Sequence, residues 1–536
     1  MNKLRLGLII LISIAIPFTS FSQKFDKKQA FIDVHKFLQT GQPEQALNLL
    51  LEFEKNNAVN ANISYLTGYC YFITSASKKD AMLHLEKAAV SINPTYKEGV
   101  LKETSAPPKA LLYLGQSYFN QYKFADALSI YEKYREYIKN KPDEITELDQ
   151  LVRVTLNAEI LVKTPVDIKI INMGPKINSE FDDHSAVFNI DESMMVFTSR
   201  RKGSTGNLKT ADGQYFEDIY ISRKEGKEWS APEKISENIN TMEHEASIAL
   251  SPDGTELFIY KDDLGDGNIY VSKFDGKLWS KPSKLGSNIN SPYIESHATI
   301  SPDGQTLYFS SNRPEGYGGY DLYAVSRLPN GEWGWAQNLG NVVNSNLNET
   351  GPFIHHDGST LYFSSQGFNS MGGYDLFYSV LKDDGTFTKP DNMGYPVNSI
   401  DDDVFYVLSA DGKRAYYSTI KDDTYGGKDI YLMDLLSLPE RSLVVITGFI
   451  RDAQNNVVKD MTLTLNDLKT NKLIGNFKPN SNTGKYTLVV PKSMNYKISS
   501  EDGNVQFVKD ELIVPENSSF YYLQKPILID PISILK

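Results

Sequence analysis

A block of about fifty residues recurs five times between Ile171 and Leu436, and stacking of one such unit is the strongest constraint on the fold. Each copy opens on Asn followed by Ser or Thr: Asn178, Asn240, Asn290, Asn344 and Asn398. Thirteen positions later stands a turn carboxylate: Asp191, Asp253, Asp303, Asp357 and Asp411. In the last four copies a Gly follows it, a tight-turn signal between two strands. A short aromatic strand comes next, as in Leu307-Tyr308-Phe309-Ser310-Ser311. Then come a Gly-rich loop and a third strand, as in Tyr320-Asp321-Leu322-Tyr323. A last segment carries an aromatic residue, with Pro after Trp229, Trp279 and Phe387 but not after Trp333. Pro belongs on an outer edge, where its missing N–H breaks no ladder bond.

Counting strands predicts closure. Five three-strand blocks have four edge segments between them, and a fifth edge-like segment at 166–174 precedes the first block. It would complete the last sheet and latch the ring, which predicts five four-stranded blades of a β-propeller; six is the alternative.

The first third reads differently. Apolar residues recur at helical spacing, as in Leu111, Leu114, Tyr118 and Tyr122. Short breaks separate pairs of helices, and a final helix is expected over 144–161. At the other end, 443–530 alternates apolar and polar residues between turn signals, the pattern of a small β-sandwich. The expected organisation is multidomain: a signal peptide at 1–22, helices at 23–163, the propeller at 164–438, the sandwich at 443–530 and a tail at 531–536.

Lys3 and Arg5 precede an apolar run too short for a good membrane span, and Ser20 and Ser22 fit cleavage between Ser22 and Gln23. Export is therefore expected, to the periplasm or an outer-membrane location. The formal charge of −12 argues against a nucleic-acid platform. Cys70, the single cysteine, cannot form an internal disulfide and reads as a buried hydrophobe.

Candidate site residues come from two repeated features. The fifth position after each Asn is acidic: Asp183, Glu245, Glu295, Glu349 and Asp403. These could ring the channel or bind a cation or a partner; the bland reading is that each accepts local hydrogen bonds within its own blade. The Gly-Gly loops place Tyr317, Tyr320, Tyr374 and Tyr425 on one face as candidate partner or ligand contacts, with the glycines expected at positive φ. Where the copies differ most is the loop from Arg200 to Glu217, the best place to look for a specific function. No nucleophile elbow of the Gly-x-Ser-x-Gly type occurs, and no catalytic constellation, cofactor site or metal site is expected.

Three resemblances follow from these residues. The run Leu111-x-x-Leu114-Gly115-x-x-Tyr118, with Ala127 and Tyr131, resembles the tetratricopeptide repeat, which implies a groove for protein partners, the alternative being a spacer or a cap on the propeller. Pro-Asp-Gly, Leu-Tyr-Phe-Ser-Ser and Gly-Gly-Tyr-Asp-Leu resemble the WD40-like PD40 repeat shared with TolB-like propellers. Gly448-Phe449-Ile450-Arg451-Asp452, Thr483-Gly484-Lys485-Tyr486 and Tyr496-Lys497-Ile498 resemble the carboxypeptidase-regulatory-like fold. That order looks like OmpA-family envelope proteins associated with type IX secretion and gliding. It implies a non-enzymatic scaffold joining envelope proteins through the helical groove and propeller faces. The segment Tyr522 to Ile529 resembles the lead-in to their OmpA-like domain, but no peptidoglycan-contacting motif follows, so no direct anchor is carried over. A glycan- or small-ligand-binding propeller is the alternative function.

Overall fold

The computed structural model describes residues 25–74, 77–210, 213–263, 265–436, 442–458, 461–491, 495–502, 505–512 and 520–529. The signal sequence with its Ser22–Gln23 junction and the tail at 531–536 lie outside them. The chain divides into two compact units between Val152 and Arg153.

The first unit is helical: α1 (Lys27–Gln39), α2 (Pro43–Lys55), α3 (Ala61–Thr74), α4 (Lys78–Ala89), α5 (Lys109–Phe119), α6 (Phe124–Arg135) and the start of α7 (Pro142–Lys163). Local chemistry sets the starts. The Asp26 carboxylate accepts from the backbone N–H of Lys28 and Gln29, Ser77 caps α4, and Pro43 opens α2. Small residues set the crossings. A Cβ on Gly68 would lie 2.7 Å from the Leu85 side chain, and one on Gly115 would lie 2.3 Å from the Tyr131 ring. Cys70 is fully buried in this core, and burial, then Glu44, pushes its thiol up to about 12.

The second unit holds five consecutive antiparallel sheets. The first contains Asp183–Phe188, Met194–Ser199 and Asp218–Glu225, with short partners Glu228–Trp229 and Glu233–Lys234. The second is Glu245–Leu250, Glu256–Asp263, Asp266–Lys273 and Ser283–Lys284; the third is Glu295–Ile300, Thr306–Ser311, Asp321–Ser326 and Gln337–Asn338. The fourth is Glu349–Ile354, Thr360–Ser365, Asp375–Val380 and Asp391–Asn392. The fifth is Val404–Leu408, Arg414–Thr419 and Asp429–Asp434, and its outer strand is Lys169–Asn172 from before the first sheet. The innermost strands touch in cyclic order, and the last touches the first. This is a β-propeller-like arrangement.

Two details differ from the sequence reading. The edge strands of the second, third and fourth sheets are only two residues long and begin after the Trp or Phe segments, whose aromatic residues form isolated bridges, as Phe274 with Trp279. Pro therefore ends up at the strand entrance, where a missing N–H is harmless. The paired glycines are also not at positive φ. A Cβ on Gly318 would sit 1.7 Å from the Leu347 carbonyl, and one on Gly426 would sit 2.4 Å from the Glu180 backbone. Their role is close approach of one sheet to the next.

The remaining strands pack as two sheets on one core that includes Ile446, Leu465, Tyr486, Leu488, Tyr496 and Ile498. Tyr522 to Ile529 is part of this layer. Phe520–Gln524 and Ile527–Ile529 pair in parallel with Leu443–Asp452.

The second half of α7 lies on the fourth sheet. Arg153 donates to the carbonyls of Phe368 and Gln366, and Asn157 donates to that of Ser370. Gly367 stands where the first and third sheets carry Arg201 and Arg313.

Candidate functional site

The repeated residues build seams. Each copy's Asn reaches back to the third strand of the preceding sheet. Asn240 accepts from the Ile219 N–H and donates to the Ile219 carbonyl, both at 2.9 Å. Asn290, Asn344 and Asn398 do the same to Ile269, Leu322 and Leu376. A second staple runs beside it. The Asn348, Asp402 and Asp182 side chains accept from the backbone N–H of Tyr320, Tyr374 and Lys428.

The five repeated carboxylates are fully buried, and none lines the channel. Asp183 accepts from the Ser179 N–H and from Arg201; Glu245 accepts from the Thr241 N–H and hydroxyl and pairs with Lys261 at 3.0 Å. Glu295 takes Ser291, Ser311 and Arg313, and Glu349 takes Ser345 and Ser365. Asp403 accepts from the N–H and hydroxyl of Ser399; burial, against Lys421, pushes its carboxyl up to about 7. These groups hold each sheet's entry turn.

The innermost strands enclose a narrow apolar channel with a cavity of about 40 Å³, lined by residues such as Val187, Ala249, Ala298, Phe353 and Val407. Every innermost strand shifts register near its start, a bulge that re-aims side chains. In three of these bulges the backbone is left-handed: Ser185 at φ 55°, Gly351 at φ 57° and Phe405 at φ 60°. That conformation is costly for a bulky residue and tends to occur at functional positions. The Phe405 ring lies 5.5 Å from that of His184 and 4.9 Å from that of His297, and so forms an aromatic layer across the end of the channel. Burial, then His184 and Lys428, pushes the His297 imidazole down to about 3, so it is neutral.

Above this layer the copies diverge. The position before each third-strand Asp or Asn is Glu217, Gly267, Tyr320, Tyr374 or Lys428. The gap over Gly267 is filled by the Tyr260 ring, which a Cβ there would meet at 2.3 Å. Tyr260, Tyr320 and Tyr374 are half-buried. Burial, then Asp262, Tyr320 and Glu217, pushes the Tyr260 hydroxyl up to about 12, and burial, Asp402 and Tyr320 do the same for Tyr374. The Glu217 carboxylate faces His184 Nε2 at 3.5 Å and His244 Nδ1 at 3.4 Å. The His244 ring stacks on Phe216 at 4.1 Å. Burial opposes the Glu217 charge, but the two imidazoles outweigh it and hold the carboxyl well below the usual range.

The four tyrosines singled out in the sequence therefore separate. Tyr320 and Tyr374 join this mouth, whereas Tyr317 and Tyr425 are 52% and 49% exposed. Their backbone N–H groups serve the turn by donating to Asp321 and Asp429. Glu217 lies at the end of the divergent loop; Tyr260, His184, His244 and Phe405 carried no repeat signal of their own. A larger cavity of about 370 Å³ lies beside Glu192, Arg414 and Phe520, but its Arg414 is paired with Glu192 and Asp411. Among the described residues no group of three His, Cys, Asp or Glu could hold a metal ion. Nor is any helix among them long and apolar enough to cross a membrane.

No family model and no curated protein matches the chain. Solved structures similar to it include TolB from Acinetobacter baumannii, at 15% identity over 54% of this chain and 69% of that one, with a TM-score of 0.33. A structure assigned as TolB from Agrobacterium tumefaciens matches at 14% identity over 60% of this chain and 97% of that one, with a TM-score of 0.31. A chain of a nidogen/laminin complex matches at 13% identity over 58% of this chain and 86% of that one, with a TM-score of 0.28. At these values none bears on what this chain binds.

Proposed function

We propose that this chain is an exported, non-enzymatic scaffold of the cell envelope, built from tetratricopeptide-like helices, a closed five-bladed propeller and a regulatory-like sandwich. In this reading it joins other envelope proteins, such as components of a type IX secretion or gliding assembly. One observation carries it: the repeated polar residues are engaged in seams and turns, while the unrepeated polar and aromatic residues gather at one mouth of the channel. A platform whose shared residues build it and whose unshared residues face one opening is suited to recognition.

The test is site-specific photocrosslinking in living cells, with the reactive group placed at Tyr374 and, separately, at exposed Tyr122 of the helical unit. Repeated recovery of the same envelope protein supports the scaffold; failure at both sites to capture any stable partner counts against it. The half-buried tyrosines of the mouth also support the second reading, a glycan-binding propeller. Saturable binding of cell-wall polysaccharide fragments, lost on Tyr320→Ala, would favour that reading instead.

A further inference from the structure

Glu217 differs from every repeated carboxylate. Those five take backbone, hydroxyl or cationic donors from their own sheets at ordinary hydrogen-bond distances. Among the described residues, the Glu217 carboxylate meets the imidazoles of His184 and His244 at 3.5 and 3.4 Å, with no closer donor. The second contact is weaker than its distance suggests, because His244 Nδ1 also accepts from the Glu217 backbone N–H at 3.3 Å. Glu217 nevertheless remains 22% exposed at the mouth. A carboxylate with two long imidazole contacts keeps acceptor capacity for a further donor.

Its surroundings suit a positive charge. Tyr320 and Tyr374 hold the position in their sheets that Glu217 holds in the first, and the Tyr260 ring fills the space over Gly267, the second sheet's residue at that position. Aromatic faces beside a carboxylate attract organic cations. Carboxylates also outnumber cations here. Asp182 and Asp402 staple the adjoining backbone and Asp262 lies near Tyr260, against Arg200, which is paired with Asp182, and Lys428.

We propose that the channel mouth binds a primary ammonium group carried by a polypeptide, with Glu217 as its counter-ion and Tyr260, Tyr320 and Tyr374 as its walls. This names the chemistry by which the scaffold of the preceding section would hold a partner, and it rests on that reading. A chain N-terminus and a lysine side chain present the same group. Lys428, at the position in the last sheet equivalent to Glu217, opposes the ligand.

The test is calorimetric titration of the full chain with glycylglycinamide, with its N-acetylated form, and with N-acetyl-lysine amide. Saturable binding of glycylglycinamide identifies a chain terminus and binding of N-acetyl-lysine amide a side chain; the acetylated dipeptide does not bind. Glu217→Gln and Tyr320→Ala each weaken binding by about tenfold or more, Lys428→Met strengthens it, and 1 M salt weakens it. An unchanged melting temperature for Glu217→Gln separates loss of the ligand from loss of the fold. The proposal is overturned if neither amine binds, if the acetylated peptide binds equally well, if Glu217→Gln leaves the affinity unchanged, or if Lys428→Met abolishes binding. Any of these results, alongside a crosslinked envelope partner, would leave the scaffold standing and remove only the ammonium site.

Discussion

Asn178 closes the ring on Ile430. Its side chain accepts from the Ile430 N–H and donates to the Ile430 carbonyl, both at 2.9 Å, across 252 residues of chain. It also donates to Asn172, on the strand that completes the fifth sheet. The same amide clasp recurs at the seams within the chain, but only here does it join the first sheet to the last.

Asn178→Ala should therefore destabilise the propeller unit by about 2–4 kcal/mol, because it leaves buried backbone groups without partners. Urea denaturation measures the loss. Asn290→Ala, at an internal seam, should cost a similar amount, while Asn178→Ala alone should speed proteolysis near 169–183.

The paired glycines predict a graded series. Gly318→Ala places a methyl group against the Leu347 carbonyl, which is backbone and cannot swing aside. It should cost about 2 kcal/mol or more. Gly304→Ala meets nothing within 4 Å but has φ +70°, so it should cost only about 1 kcal/mol. Equal melting temperatures for the two variants would contradict the close-approach account.

Arg153 ties α7 to the fourth sheet through two carbonyls. Arg153→Ala should raise amide hydrogen exchange across 366–370 and leave the corresponding loop of the third sheet unchanged. Protection that stays the same would show that the helix is held by other contacts.

Stability should pass through a maximum with pH. The Asp403 carboxyl moves from 3.8 to about 7 on folding, so the folded state holds a proton that the unfolded state has released between those values. Stability on this account falls as pH rises from about 4 to about 7. His297 and His356 run the other way. Both are pushed from 6.5 down to about 3, His297 by burial, His184 and Lys428, and His356 by burial and His355. Their contribution is complete above 6.5 and is lost as pH falls towards 3. Asp403→Asn should flatten the upper limb and raise the melting temperature at pH 8 by a few degrees. Melting curves from pH 4 to 8 check both signs.

Repetition made most of the architecture legible. The strand that pairs Lys169–Asn172 with Tyr431–Asp434 follows from counting edge segments, because a ring with one unpaired edge calls for a strand from outside the repeat. The glycine pairs show where the reading stopped. Gly-Gly in a loop signals either positive φ or close approach, and the sequence does not carry the neighbouring Leu347 backbone that distinguishes the two. The repeated carboxylates were visible as a pattern, and their burial against Ser, Thr and basic partners shows what the pattern serves.

The sequence by itself determined the period, the element types and the strand that latches the ring, because these rest on local turn chemistry and alternation that recur within each copy. Only the tertiary structure decided which residues meet at the channel mouth. Glu217, Tyr320 and Tyr374 come from three copies and His244 and Tyr260 from a fourth, and Tyr260 fills a gap left by Gly267. Closure of the ring brings one equivalent position of each copy to a single opening, while the His244 and Tyr260 side chains that join it come from positions with no repeat signal.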